Sequence, residues 1–198
     1  MPPSGVEQTC EDGVHAEKKT QRYKEGDPLQ KWLFARHIEE VARTKEVYWM
    51  DECGVPHGLY KERGWSLRGE KIVQEVSGKA RKRTSVIGTW RRGKLVAPAV
   101  FEGSCDSAVV DAYFEQVLLP AIPEGSVVVL DNASFHHSSR AKSLAEARGI
   151  ELLFLPPYSP DLNPIESFWA KFKRALRPLL PSSSDPFLTV SNMCLCFI

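Results

Sequence analysis

Residues 126–155 read SVVVLDNASFHHSSRAKSLAEARGIELLFL, and this stretch decides the fold. Ser126 to Leu130 is an unbroken, β-branched apolar run, the pattern of a strand buried on both faces. Asp131 ends it. Ser139 to Arg148 has helical spacing, and Gly149 supplies a C-terminal stop. Glu151 to Leu155 is a second apolar strand. Strand, helix and strand at this spacing imply a right-handed crossover between parallel neighbours.

Working outward, Thr84–Trp90 and Leu95–Phe101 flank Arg91-Arg92-Gly93-Lys94 and predict a hairpin, with Gly where positive φ is needed. Asp106 or Ser107 caps a helix whose Val110, Tyr113, Phe114, Val117 and Leu118 share one face. Pro120 ends it. Val47-Tyr48-Trp49-Met50 lies in a first strand, Glu46 to Glu52. Before it, Asp27-Pro28 starts a helix reaching about Arg43, with Asp as N-cap and Pro in the first turn. That helix carries two apolar stripes, Leu29/Trp32/Leu33 and Phe34/Ile38/Val41, one for the core and one for a partner. Downstream, Pro156-Pro157-Tyr158-Ser159-Pro160 is a stiff loop leading into a helix from Asn163 to Leu176.

The order is helix, three strands joined by short links, then strands joined through helices. It predicts an α/β fold: a mixed five-stranded sheet flanked by helices. We divide the chain into a polar disordered tail at 1–26, an N-terminal helix at 27–44, a catalytic fold at 45–176 and an irregular tail at 177–198. Residues 54–82 are irregular and basic.

The net charge of +1 hides a strong asymmetry. From Lys61 to Lys94 stand eleven Lys or Arg against three Glu, a local +8 that leaves −7 elsewhere. Such a block suits a polyanionic partner. Five cysteines without a paired C-x-x-C exclude a disulfide framework and structural zinc, and fit a reducing cytoplasm. Neither a signal peptide nor a membrane-length apolar run is present. The absence of a G-x-x-x-x-G-K-[ST] loop argues against nucleotide hydrolysis.

Three acids stand out: Asp51 and Asp131, each ending an apolar run, and Glu166, separated from Asp131 by 34 residues. Singly, each has a structural explanation. Asp commonly opens loops, and Asn163-Pro164-Ile165-Glu166 fits a capping box. Together they change the balance. If the first strand lies parallel to 126–130, neighbouring strands about 4.8 Å apart put both aspartates at one sheet end. That suits two cations roughly 3.5–4 Å apart. Like charges so close repel without a cation. Hard oxygen donors without His or Cys favour magnesium, with manganese as the second candidate. Glu52 alternates to the face opposite Asp51, so only one of the two faces such a site.

Leu130-Asp131-Asn132-Ala133-Ser134-Phe135-His136, with Pro156-Pro157-Tyr158-Ser159-Pro160-Asp161-Leu162-Asn163-Pro164-Ile165-Glu166-Ser167-Phe168-Trp169, resembles the catalytic core of mariner-superfamily insertion-sequence transposases. Tyr48-Trp49-Met50-Asp51-Glu52-Cys53-Gly54 resembles the segment with the family's first Asp, and the likeness runs over about residues 17–176. The resemblance implies a ribonuclease-H-like fold, the metal-holding catalytic triad Asp51, Asp131 and Glu166, and two-metal DNA cleavage and strand transfer at element ends into TA-containing targets. It also implies a homodimer on DNA and work at the nucleoid. Asn132 and His136 are supporting candidates. Arg81, Lys82, Arg83, Arg91, Arg92, Lys94, Lys171 and Lys173 are candidate phosphate contacts. Trp65 and Trp90 could stack on bases or pack in the core. Relatives carry helix-turn-helix modules, whereas the first 44 residues here offer one helix. End recognition is therefore expected either from a separately encoded helix-turn-helix subunit or frame, this chain being a downstream reading frame, or to be absent, this chain being a truncated remnant. Two competing functions are a hydrolytic nuclease of the same fold and a non-catalytic fragment that binds DNA or inhibits an intact transposase.

Overall fold

The computed structural model describes residues 24–57, 66–67, 69–71, 73 and 82–198. The expected tail at 1–23, Trp65, Arg81 and much of the basic segment lie outside the described residues. The order is α1 (Pro28–Val41), β1 (Val47–Pro56), β2 (Arg83–Arg91), β3 (Lys94–Glu102), α2 (Ser107–Tyr113), a π-helical turn (Phe114–Leu118), α3 (Leu119–Ala121), β4 (Val127–Leu130), α4 (Ser139–Ala147), β5 (Glu151–Phe154), α5 (Pro164–Leu176) and α6 (Pro186–Leu195). Short 3-10 turns precede α4, α5 and α6. The sheet order is β3-β2-β1-β4-β5. β1, β2 and β3 are antiparallel, while β1, β4 and β5 are parallel. This is the mixed five-stranded sheet expected from the sequence.

Helices cover both faces. Tyr48, Met50, Ile87, Val128 and Leu130 pack with α2, the π-helical turn and α4. Cys53, Val55, Val86 and Leu95 pack with α5 and α6. Beside them, Val127 and Val129 meet Phe34, Ile38 and Val41 of α1. β4 is buried along its whole length because it has a strand on each side and helices on each face. The other stripe of α1 stays exposed: Leu29 at 63%, Trp32 at 60% and Leu33 at 52%.

β1 is four residues longer at its C-terminal end than expected, reaching Pro56 instead of Glu52. Its outer half pairs with β2 through Pro56↔Arg83. The Arg83 guanidinium lies over Gly54, where a Cβ would come within 2.8 Å of it. The helix ending near Pro120 loosens before it stops. Leu119 donates its amide to the Phe114 carbonyl, five residues back, and Pro120 has no N–H with which to restore the α pattern.

The expected irregular tail at 177–198 is corrected. It folds into a 3-10 turn and α6, capped by Asp185, which accepts the Leu188 amide. Val190 and Cys194 are buried, and Phe197 packs against Phe168 and Phe172. The Leu95 amide donates to the Phe197 carbonyl. Burying each such side chain contributes about 1.5–3 kcal/mol, so Pro186 begins a helix here instead of marking a loose end.

The β2–β3 turn has Arg92 at φ 47 and Gly93 at φ 87. Both positions of a two-residue hairpin turn of this kind are left-handed and favour Asn or Gly. Arg costs about 1–2 kcal/mol there. Arg92→Asn is therefore expected to raise the melting temperature by about 2–4 °C. A thermal melt with no rise would show that the turn carries no such cost. Among the described residues no helix is long and apolar enough to cross a membrane.

Candidate active site

β1 and β4 run parallel, with Trp49 opposite Val129. Two residues further on, Asp51 lies midway along β1 and level with Asp131, which directly follows the last residue of β4. Asp51 is buried, at 7% exposure. Glu166 enters from the first turn of α5. The three carboxyl-bearing residues line one cleft of about 340 Å³, together with Asn132, Asn163 and the Leu155–Pro160 loop. The proline-rich loop holds the start of α5 over the sheet, and Lys31 of α1 reaches its Asp161 at 2.6 Å.

Glu166 has lost its simplest structural explanation. Asn163 occupies the N-cap position of α5 but makes no side-chain cap bond. Its Oδ1 is buried without a hydrogen-bond partner. The capping box offered by the sequence is therefore not formed, and both side chains line the cleft.

The electrostatics set the acids apart. Burial, then the charges of Glu52, Glu166 and Asp131, push Asp51 from 3.8 up to about 8. Its support is the Trp169 indole, which donates Nε1–H to Oδ2 at 3.1 Å. Burial opposes ionisation of Asp131 too, but bonds from His136 and the Ala133 amide hold it below the ordinary carboxylate value. Those bonds are 2.6 Å from His136 Nδ1 and 2.9 Å from Ala133 N. Glu166 is raised, chiefly by burial and by Asp131 and Glu52, against the pull of Lys173. His136 lies between two acids, with Nε2 3.4 Å from Glu52 Oε2. Burial would lower it, yet Asp131 and Glu52 lift it to about 9.

Strand alternation puts Glu52 and Asp51 on opposite faces. The structure adds a link that the sequence does not reveal: Glu52 reaches the site indirectly, by way of His136. Trp169 was also missed as a partner of Asp51. Its signal was available, because it lies three residues after Glu166 and so on the same helical face. The Asn132 amide donates to the Leu155 carbonyl and ties the ends of β4 and β5 together.

The candidate phosphate contacts do not form one patch. Lys82 and Arg83 stand at one end of β2, and Arg91, Arg92 and Lys94 at the other, roughly 26 Å away for eight strand steps. Arg83 is bonded to Ser85. Arg91 is paired with Glu46 and lies over the Tyr48 ring. Arg92, Lys94 and Lys171 are exposed. Lys173 lies close enough to favour the charged forms of Cys53 and Glu166.

The donor set suits a hard divalent cation: carboxylates face one cleft, and their repulsion is relieved by positive charge. Asp51, Asp131 and Glu166 are the residues that could hold it. Among the described residues no three acidic, His or Cys side chains already close into a metal cage.

A family model described as DDE superfamily endonuclease matches residues 46–186. The Tc1 transposase of Caenorhabditis elegans is 37% identical over 67 residues, 34% of this chain and 24% of that protein. The uncharacterized protein y4pE/y4sA of Sinorhizobium fredii is 33% identical over 84 residues, 40% of this chain and 56% of that protein. The matches thus span about a quarter and about half of these curated relatives. A Mos1 transposase paired-end complex with a left transposon end superposes with a TM-score of 0.62 at 15% identity, over 94% of this chain and 66% of that one. A mariner Mos1 paired-end complex with Mg gives 0.61 at 14% identity, over 93% and 64%. At such identities the likeness is one of fold, and it makes the sheet ribonuclease-H-like. With the family model covering most of the sheet and all three cleft acids, the chain belongs to the DDE superfamily endonucleases.

Proposed function

We propose that this chain is the catalytic domain of an insertion-sequence transposase, which cuts DNA at element ends and joins the freed 3′-hydroxyl to a TA-containing target. The observation that carries the proposal is the convergence of Asp51, Asp131 and Glu166 on one cleft, where burial and the neighbouring acids both raise Asp51. The Mos1 complex with Mg supports a divalent cation, and the Tc1 relative supports transposition as the reaction.

Asp51, Asp131 and Glu166 would hold magnesium or manganese, two ions in the full site. When bound, such ions lower the pKa of a nucleophilic water and neutralise charge at the scissile phosphate. The protein does the positioning. His136 fixes one Asp131 oxygen and leaves the other for the cleft. Trp169 orients Asp51 in the same way. The Asn132–Leu155 bond holds the wall against which a DNA strand would lie. Orientation of this kind supplies a large part of the rate in phosphodiester chemistry. The same function has two copies acting on paired ends at the nucleoid, with end sequences read by a separate helix-turn-helix module.

The test is direct. The purified chain is incubated with supercoiled plasmid and with duplexes carrying terminal inverted repeats, with magnesium and with chelator. Magnesium-dependent nicking is expected. Its absence with both magnesium and manganese, in protein that melts cooperatively, would reject the enzymatic function in favour of a non-catalytic fragment.

A further inference from the structure

A second cleft, of about 290 Å³, lies beside the acidic one. The two share a wall: Asn163 lines the first and the next residue, Pro164, lines the second. Asp51 lines the first, and Trp49, two residues earlier on the same face of β1, lines the second. Trp49 and Trp90 are direct cross-strand partners, so both indoles project from one face of the sheet. Trp90 is fixed by stacking on Phe168, with centroids 4.6 Å apart and planes 23° from parallel. Trp49 is held under α1 with Phe34, Ile38 and Val41.

Three cations complete the lining. Lys45 is engaged with Glu151 at 2.8 Å, and Arg91 with Glu46. Arg92 makes no ion pair among the described residues. It is exposed at the hairpin tip, in the left-handed conformation that Asn or Gly would adopt more easily.

Indole surfaces with a free guanidinium at the rim match one ligand chemistry: a nucleobase stacked on the ring and its phosphate on the arginine. The cleft is of the size of a single nucleotide. We propose that this cleft takes a single unpaired nucleotide of the strand that enters the acidic cleft, next to the cutting site. The proposal rests on the DNA-cutting function above and adds an extrahelical subsite to it.

The experiment changes the DNA before the protein. Two fluorescein-labelled duplexes differ only in a one-residue 3′ overhang, thymidine in one and an abasic site in the other. Binding to the full chain is followed by anisotropy in EDTA, so that no cutting competes. The thymidine duplex is expected to bind about tenfold more tightly, the scale of one base–aromatic stack. Trp90→Leu should bring the two together. Arg92→Asn, which suits its turn and should fold, is expected to weaken both several-fold while keeping the preference. Equal binding of the two duplexes by the unaltered chain would overturn the nucleotide cleft and leave DNA cutting standing. Binding of neither would overturn both. Unchanged affinity in Arg92→Asn would remove the phosphate contact and sink the proposal in this form. Should Trp90→Leu not fold, the abasic comparison decides.

Discussion

Asp131→Asn is expected to lower magnesium-dependent nicking by about a thousandfold or more, because a charged ligand is worth several kcal/mol at the transition state. The substitution is mild for the fold. An Asn Oδ1 can still accept from the Ala133 amide and the His136 ring, the two bonds that Asp131 makes. What disappears is the negative charge facing the cleft. The His136 pairing weakens with it, so a stability loss of about 1–3 kcal/mol should accompany the change. A urea melt separates that loss from the catalytic one. Glu52→Gln is the matched control. Glu52 lies on the opposite face of β1 and reaches Asp131 only through His136. Its loss should cost about ten- to a hundredfold, the scale of a displaced positioning group and not of a lost ligand. Asp131→Asn with unchanged nicking would remove that residue from the catalytic set. Glu52→Gln as damaging as Asp131→Asn would move the first ligand from residue 51 to residue 52.

Much of this architecture was legible because burial leaves a direct trace in sequence. Val127 to Leu130 can be continuously apolar only where helices cover both faces of a central strand, and β4 is such a strand. Arg92-Gly93 marked the hairpin because turn geometry restricts residue choice. The acids could be named because Asp51 and Asp131 each end an apolar run and Glu166 follows a proline-rich loop, although β1 continues past Asp51 to Pro56. Their convergence was less accessible, since it depends on β1 and β4 being parallel neighbours, a pairing between segments about 80 residues apart. The partners were hidden for the same reason. Trp169 and Asp51 meet across 118 residues of chain. His136 finds Glu52 from a turn that follows a different strand. The C-terminal helix was missed because Pro181, three serines and Asp185-Pro186 carry turn chemistry. Tertiary burial of Val190 and Cys194 against the sheet overrides that local preference. The candidate phosphate contacts are close in sequence, yet β2 holds Lys82 and Arg83 apart from Arg91, Arg92 and Lys94.

The metal-free protein is expected to lose stability as pH rises from about 5 to 9, and divalent cation should restore it. Asp51 carries an ordinary carboxylate value of 3.8 when unfolded and about 8 when folded. Between these limits the unfolded chain has released its proton while the folded chain keeps it. The unfolded state then binds fewer protons, so unfolding becomes easier as pH rises, and the loss levels off above about 8. Complete displacement corresponds to about 6 kcal/mol. His136 acts in the same direction over a later window. Its value rises from 6.5 to about 9 on folding, so its contribution is full below 6.5 and is lost as pH passes through 9. Asp131, held low, gains its stabilising effect near pH 4 and is constant thereafter. Asp51→Asn should therefore make the stability profile shallower between pH 5 and 6.5, where the raised Glu166 still acts in the same direction, leave the later His136 slope, and raise the melting temperature at pH 8 by roughly 10 °C. Magnesium should stabilise the parent chain more at pH 8 than at pH 5, because Asp131 is charged at both but Asp51 joins it in charge and repulsion only at the higher pH. The same ion should stabilise Asp51→Asn much less. Calorimetry in chelator across this range settles the matter. A melting temperature that stays flat from pH 5 to 8 would mean that the acids do not crowd one another, and the electrostatic case for a cation in this cleft would go with it.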